Sequence, residues 1–245
     1  MKVIKRNGRT EELDISKIKK YTNEAVLGLS NVSLSELEVD AKIQFRDMIT
    51  TEEIQQTLIK TAVDKIDIDR PNWTFVAARL FLYDLYHKVS GFNGYNHLKD
   101  YLVKGEKVGR IIPGLKEKYD LEDLNAYIRP ERDLQFAYLG IKTLYDRYLI
   151  KDKNGMPIEL PQHMFMAIAM FLAQNELDSQ GWSKKFYDLI SKFEVMLATP
   201  TLSNARTTRH QLSSCYVGST PDNIEGIFDS YKEMALLSKF GGGIG

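Results

Sequence analysis

The residues able to do chemistry lie toward the two ends of the chain. Ser213-Ser214-Cys215 holds the single cysteine of the 245 residues. An intramolecular disulfide needs a second sulfur, with the two Cβ atoms about 4 Å apart. Without that partner, Cys215 reads first as a small, buried apolar residue, the common fate of free cysteine. At the other end, Lys5, Arg6, Arg9 and Lys17 surround the Asn7-Gly8 pair, with Glu11 and Glu12 beside them. Turn amides and converging cations can hold a polyphosphate. A solvated, charged hairpin is the other reading of the same residues. The phosphate-binding pattern GxxxxGK[ST] is absent, so this is no P-loop.

Two more positions fit an anion site. Thr51 opens a helix, where unpaired amides favour negative charge. His87 and Lys88 are adjacent on one helix and point about 100° apart. Only one of them faces a ligand, and Lys88 is the better choice on electrostatic grounds. His87, His97, His163 and His210 lack the spacing of metal ligands. Met164, Met166 and Met170 form a core stripe. Arg206 and Arg209 read equally as phosphate ligands or as solvated loop charges.

These residues are positioned by elements that the pattern makes legible. VIKRNGRTEELD alternates around Asn7-Gly8 and predicts a type I′ hairpin. Four helical periods follow. Ser33–Glu36 and Thr50–Glu53 have capping-box spacing, and Ser90-Gly91 stops the fourth helix. NHLKDYLVKGEKV, LEDLNAYI, RDLQFAYLGIKTLYDRYLI, PQHMFMAIAMFLAQ and SKKFYDLISKF each carry an apolar stripe at helical spacing. VMLATPTLSNA and SSCYVGST are rich in β-branched and small residues and read as two short strands. Asp222 to Glu225 then has N-cap chemistry before another helix and a glycine loop, Gly241 to Gly243.

The fold class expected is α+β, mostly helical. Three units follow: residues 1–91 as a hairpin with four helices, 92–195 as a helical domain, and 196–245 as the opening of an α/β domain that stops after its first elements. Lys and Arg balance Asp and Glu at 33 each, so no global field draws the chain to nucleic acid or to a membrane. One cysteine suits a reducing compartment. The apolar stretch at 164–173 is about half the length needed to span a bilayer. The expectation is a cytoplasmic protein with no membrane segment.

Taken in order, VIKRNGRTEELDISKI, IQFRDMITTEEI and TFVAARLFLYDLYHK resemble the ATP-cone, a regulatory nucleotide-binding module. VMLATPTLSNA, QLSSCYVGSTPDNIEGI and KFGGGIG resemble the start of the catalytic barrel of the large subunit of class I ribonucleotide reductase. The two resemblances cover essentially the whole chain and imply its parts: an ATP-cone, a helical domain and a truncated α/β barrel. They point to Lys5, the stretch Glu11 to Lys17, Thr51, His87 and Lys88 as contacts for ATP or dATP, with Mg²⁺. Cys215 matches one of the two cysteines that reduce the substrate and become a disulfide. Thr199 and Ser214 match contacts to the nucleoside diphosphate. Asp222, Asn223 and Ile224 match the start of the specificity-effector site.

The resemblance implies reduction of ribonucleoside diphosphates by thiyl-radical chemistry under ATP/dATP control. It implies a small subunit carrying the metal-radical cofactor, self-association of large subunits, and thioredoxin or glutaredoxin as reductant. No metal is expected in this chain. The partner of Cys215 is absent from the 245 residues, so they are expected to bind effector but not to catalyse. The alternative is a free-standing ATP-cone sensor, for which LSSCYVGSTPDN would have no use.

Overall fold

The computed structural model describes residues 1–245. Its N-terminal sheet has three short strands, β1 (Lys2–Ile4), β2 (Thr10–Glu12) and β3 (Ile49–Thr50), in the order β2-β1-β3. β1 runs antiparallel to β2 and parallel to β3. In the hairpin turn, Lys5 N–H donates to the Arg9 carbonyl and Gly8 N–H to the Lys5 carbonyl, both at 2.8 Å. Gly8 alone in the turn has positive φ, 81°. The loop is therefore a three-residue turn closed by a left-handed glycine and not type I′, which also needs positive φ at Asn7. β3 is an addition to the expected hairpin. Two residues carry no alternation signal, and only pairing with Val3 and Ile4 makes them a strand.

Four helices pack around this sheet: α1 (Ile15–Val26), α2 (Leu34–Lys42), α3 (Thr51–Val63) and α4 (Trp73–Ser90). Their starts follow local chemistry. Asp14 caps α1 and Ser33 caps α2 through side-chain oxygens. Thr50 and Glu53 form the full reciprocal box on α3, at 3.0 and 2.8 Å. Gly91, with φ 81°, ends α4 and donates to the His87 carbonyl. Leu37, Leu58 and Leu80 are fully buried, each worth roughly 1.5–3 kcal/mol of transfer free energy.

The helical unit contains α5 (Leu98–Lys107), α6 (Leu121–Tyr127), α7 (Tyr138–Arg147), α8 (Pro161–Ala173) and α9 (Ser179–Ser191), with 3₁₀ turns at Lys116–Lys118 and Pro130–Gln135. α8 is apolar all round and buried along nearly its whole length, as such helices must be. The helix expected over RDLQFAYLGIKTLYDRYLI is broken. Phe136 and Ala137 are extended, and buried Asp133 anchors the preceding turn by accepting from Tyr86, Tyr95 and Gln162. Phe81 of α4 meets Tyr138 and Tyr145 of α7 edge-on, which joins the two units in one core.

The strand expected in VMLATPTLSNA is instead helix α10 (Thr199–Asn204). Pro200 explains the difference: it has no N–H for a ladder but suits the first turn of a helix. Residues 199–206, expected with the third unit, pack against the second. Leu202 and Ala205 are buried there. Arg206 is neither a phosphate ligand nor a solvated charge. It is fully buried with Glu159 as its ion-pair partner, and it donates to the Leu202 and Tyr148 carbonyls at 2.6 and 2.8 Å. Tyr101 completes the cluster with a 2.5 Å hydrogen bond to Glu159.

The apolar core runs from Val3 to Ala205 and takes no buried apolar side chain from beyond. After it come β4 (Cys215–Tyr216), α11 (Ile224–Lys239) and β5 (Gly243–Ile244). β4 and β5 pair in parallel, Cys215 opposite Gly243, so part of the expected glycine loop is a strand. α11 has no buried residue. The architecture is mostly helical with few short strands. No helix is long and apolar enough to cross a membrane.

Candidate functional site

A cavity of about 600 Å³ opens between the hairpin, α1, the start of α3 and the end of α4. That volume falls in the range of small-molecule sites. Lys5, Arg6 and Asn7 reach it from the hairpin, Glu11 from β2, and Asp14, Lys17, Lys20, Tyr21 and Glu24 from the cap and body of α1. Thr51 and Gln55 enter from α3, Tyr83 and His87 from α4, and Asn93 from the loop beyond. The helical repeat explains the pairs: 17, 20, 21 and 24 share one face of α1, and 83 and 87 are one turn apart on α4.

Its charges are mutually engaged. Glu11 accepts from Lys5 at 3.1 Å and lies 3.7 Å from Lys17, which is 3.8 Å from Asp14. The Lys5 hydrogen bond, aided by Lys17, holds the Glu11 carboxyl below the usual range. Arg6 pairs with Asp84 at 2.7 Å. Burial, with the Arg6 charge added, depresses the pKa of His87, so its imidazole is neutral at pH 7. Tyr21 and Tyr83 face one another at 6.3 Å. Burial raises Tyr21 to about 12, and Tyr83 donates to Glu24 at 2.7 Å. Four cations, three carboxylates and two tyrosine rings thus line one cavity, a set that suits a ligand with a polyphosphate and a flat base.

Of the residues singled out from sequence, Lys5, Glu11, Lys17, Thr51 and His87 come together on this wall. Lys88 does not line it. Its ammonium lies 2.7 Å from Asp84 and 3.4 Å from Glu52. Burial is the largest influence and works against that charge, yet the hydrogen bond and charge of Asp84, with Tyr145 and Glu52, together outweigh it and hold the Lys88 pKa above the ordinary lysine value. The ranking of Lys88 over His87 as the ligand-facing residue is therefore reversed. Sequence reasoning missed Tyr21, Gln55, Tyr83 and Asn93. Tyr21 falls on an apolar stripe, which is indistinguishable by spacing from a core position.

The other candidates are dispersed. Thr199 is the first residue of α10 and shares a 3.2 Å hydrogen bond with Tyr148. Ser214 and Cys215 are exposed, Oγ to Sγ 3.6 Å, and no hydrogen bond joins either to Thr199. The cap of α11 is Asn223, which accepts from Gly226 N–H at 2.8 Å. Asp222 precedes it, exposed, and Ile224 is 73% exposed.

Three family models match the chain: the ATP cone domain over residues 1–88, the all-alpha domain of ribonucleotide reductase over 134–210, and its barrel domain over 213–245. The chain is 75% identical to the ribonucleoside-diphosphate reductase subunit alpha of Helicobacter pylori over 243 residues, 99% of this chain and 31% of that protein. The subunit alpha of Treponema pallidum is 35% identical over 92% of this chain and 29% of its own length. The ribonucleoside-diphosphate reductase 1 subunit alpha of Escherichia coli is 35% identical over 92% of this chain and 30% of its own length. The chain belongs to the ribonucleoside-diphosphate reductase alpha-subunit family. It spans about a third of the length of these reductase relatives.

Within this chain, the ATP cone match takes in every residue lining the cavity except Asn93. Thr199 falls in the all-alpha match, whereas Ser214, Cys215 and Asp222 to Ile224 fall in the barrel match.

Proposed function

We propose that the cavity binds ATP or dATP as an allosteric effector, with phosphates toward Lys5, Arg6 and Lys17 and the base toward Tyr21 and Tyr83. The convergence of those cations and rings on one 600 Å³ cavity carries the reading, and the ATP cone match supports it. Thr51 and His87 contribute polar contacts, His87 as a neutral imidazole. Glu11 and Asp14 offer the carboxylate oxygens that suit a Mg²⁺ brought by the phosphates.

The parent activity proposed is that of a class I ribonucleoside-diphosphate reductase large subunit, reducing ribonucleoside diphosphates by thiyl-radical chemistry in the cytoplasm. Cys215 is one thiol of its substrate-reducing pair. Thr199 and Ser214 contact the substrate, and Asp222, Asn223 and Ile224 belong to the specificity-effector site. Its partners are a small metal-radical subunit, a second large subunit, and thioredoxin or glutaredoxin. Residues 1–91 form the cone, 92–195 with the anchored stretch 199–206 the helical domain, and the residues beyond lead into the barrel. With one thiol, these 245 residues bind effector without turning substrate over.

Isothermal titration with ATP and dATP tests the effector site. Saturable binding is expected, weakened at least about tenfold by Lys5→Glu, because a phosphate-facing cation becomes a repelling anion. Absence of heat at millimolar nucleotide, or unchanged affinity in Lys5→Glu, would remove the assignment.

A further inference from the structure

Behind the cavity wall, Asp84 is 3% exposed and does not line the cavity. Its two oxygens serve different donors. Oδ1 accepts from Arg6 Nη2 at 2.7 Å. Oδ2 lies 2.7 Å from Lys88 Nζ and accepts from Gln56 Nε2 at 3.3 Å. The two cations differ in their freedom. Lys88 is 20% exposed, sits on the same helix as Asp84 and has a second carboxylate, Glu52, at 3.4 Å. Arg6 is 40% exposed, lines the cavity and sits in the hairpin turn, on a side chain long enough to swing.

A buried carboxylate cannot be stripped of all compensation without a large loss of stability. Asp84 can release one cation only while the other stays. We propose that Asp84 is a positioning residue that holds Arg6 in reserve at the cavity wall, and that a polyphosphate ligand draws Arg6 away while Lys88 keeps Asp84 compensated. The inference rests on the reading of the cavity as a nucleotide site and adds how its affinity is set. Arg6 is offered to the ligand in competition with an internal anion. A ligand with several phosphate charges displaces that anion, and an uncharged nucleoside does not. Lys88 acts on the ligand through Asp84 and Arg6, without touching it.

The test is calorimetry on the 245-residue chain with Mg-ATP, and with adenosine as the phosphate-free control. Asp84→Asn frees Arg6 and tightens ATP binding about fivefold, the scale of one partly exposed ion pair, with adenosine unchanged. Lys88→Met leaves Asp84 to claim Arg6 and weakens ATP by a similar factor. A merely structural role would move both variants in the same direction. Arg6→Met, which leaves Asp84 its Lys88 partner, weakens ATP about fivefold with adenosine unchanged, and this comparison keeps the proposal decidable if Asp84→Asn does not fold. Weaker or unchanged ATP binding in a folded Asp84→Asn overturns the proposal alone. So does Mg-ATP affinity unchanged in a folded Arg6→Met. Wild-type protein that binds no ATP overturns it together with the effector site.

Discussion

Lys5 and Lys17 reach their cavity from elements seated on a continuous core, whereas Cys215 stands exposed on a two-residue strand beside a helix that buries no side chain. The difference follows from packing. The first ninety residues bury helix faces around the sheet and so seat the cavity's cations on a rigid wall, whereas β4, α11 and β5 find no apolar layer within these 245 residues to bury against. The boundary between the regimes is marked by Arg206, the last fully buried residue before the exposed segment.

The comparison can be broken most severely at that boundary. Arg206→Leu leaves Glu159 buried without its partner and is expected to cost about 3–5 kcal/mol, read as a lower urea midpoint. A loss under about 1 kcal/mol would mean that residues 199–206 are not anchored there. Next in size is a pair of truncations. Leu80→Ala on α4 is expected to cost about 2–5 kcal/mol. Phe228→Ala on α11 should stay within about 0.5 kcal/mol. Equal losses would show α11 to be packed and erase the contrast.

Acid sharpens the picture of the core. Burial between Tyr95 and Tyr101, with His97 adding its charge, holds His163 at a pKa of about 3, against an ordinary 6.5. The unfolded chain therefore takes up this proton first. The stability is present above pH 6.5 and lost as pH falls toward 3, by up to about tenfold in the folding constant per pH unit. Asp133 acts oppositely: burial lifts it to about 6 from 3.8, so the folded chain protonates first in that window and offsets part of the loss. The melting temperature of His163→Phe minus that of wild type should widen in favour of the variant from pH 7 to pH 4. A pH-independent difference would show that His163 does not titrate against folding. The smallest effect is expected at Cys215. Cys215→Ser should leave ATP affinity and melting temperature unchanged, while the native thiol alkylates stoichiometrically without denaturant. A protected thiol would show the segment to be packed.

Much of the first ninety residues was legible because its signals are local. The Thr50–Glu53 box and the Asn7-Gly8 turn depend on residues a few positions apart, and Lys5 and Glu11 meet across one short hairpin. β3 was not legible, since only its pairing with β1 makes it a strand. Nor was the choice of His87 over Lys88, which the rotation of α4 against α3 and the hairpin decides. Arg206 read equally as a phosphate ligand or a loop charge because its partner, Glu159, lies 47 residues away.

By itself the sequence determined the caps, the helices, the family and the residue types of the candidate site, all of which rest on interactions within a few residues or on ordered motifs. Only the tertiary structure decided which cations face the cavity and which are held behind it, that Arg206 is a core residue, and that the core ends before Cys215. Those outcomes depend on burial and on the pairing of charges distant in the chain, where desolvation sets the energy and the linear spacing carries no record of it.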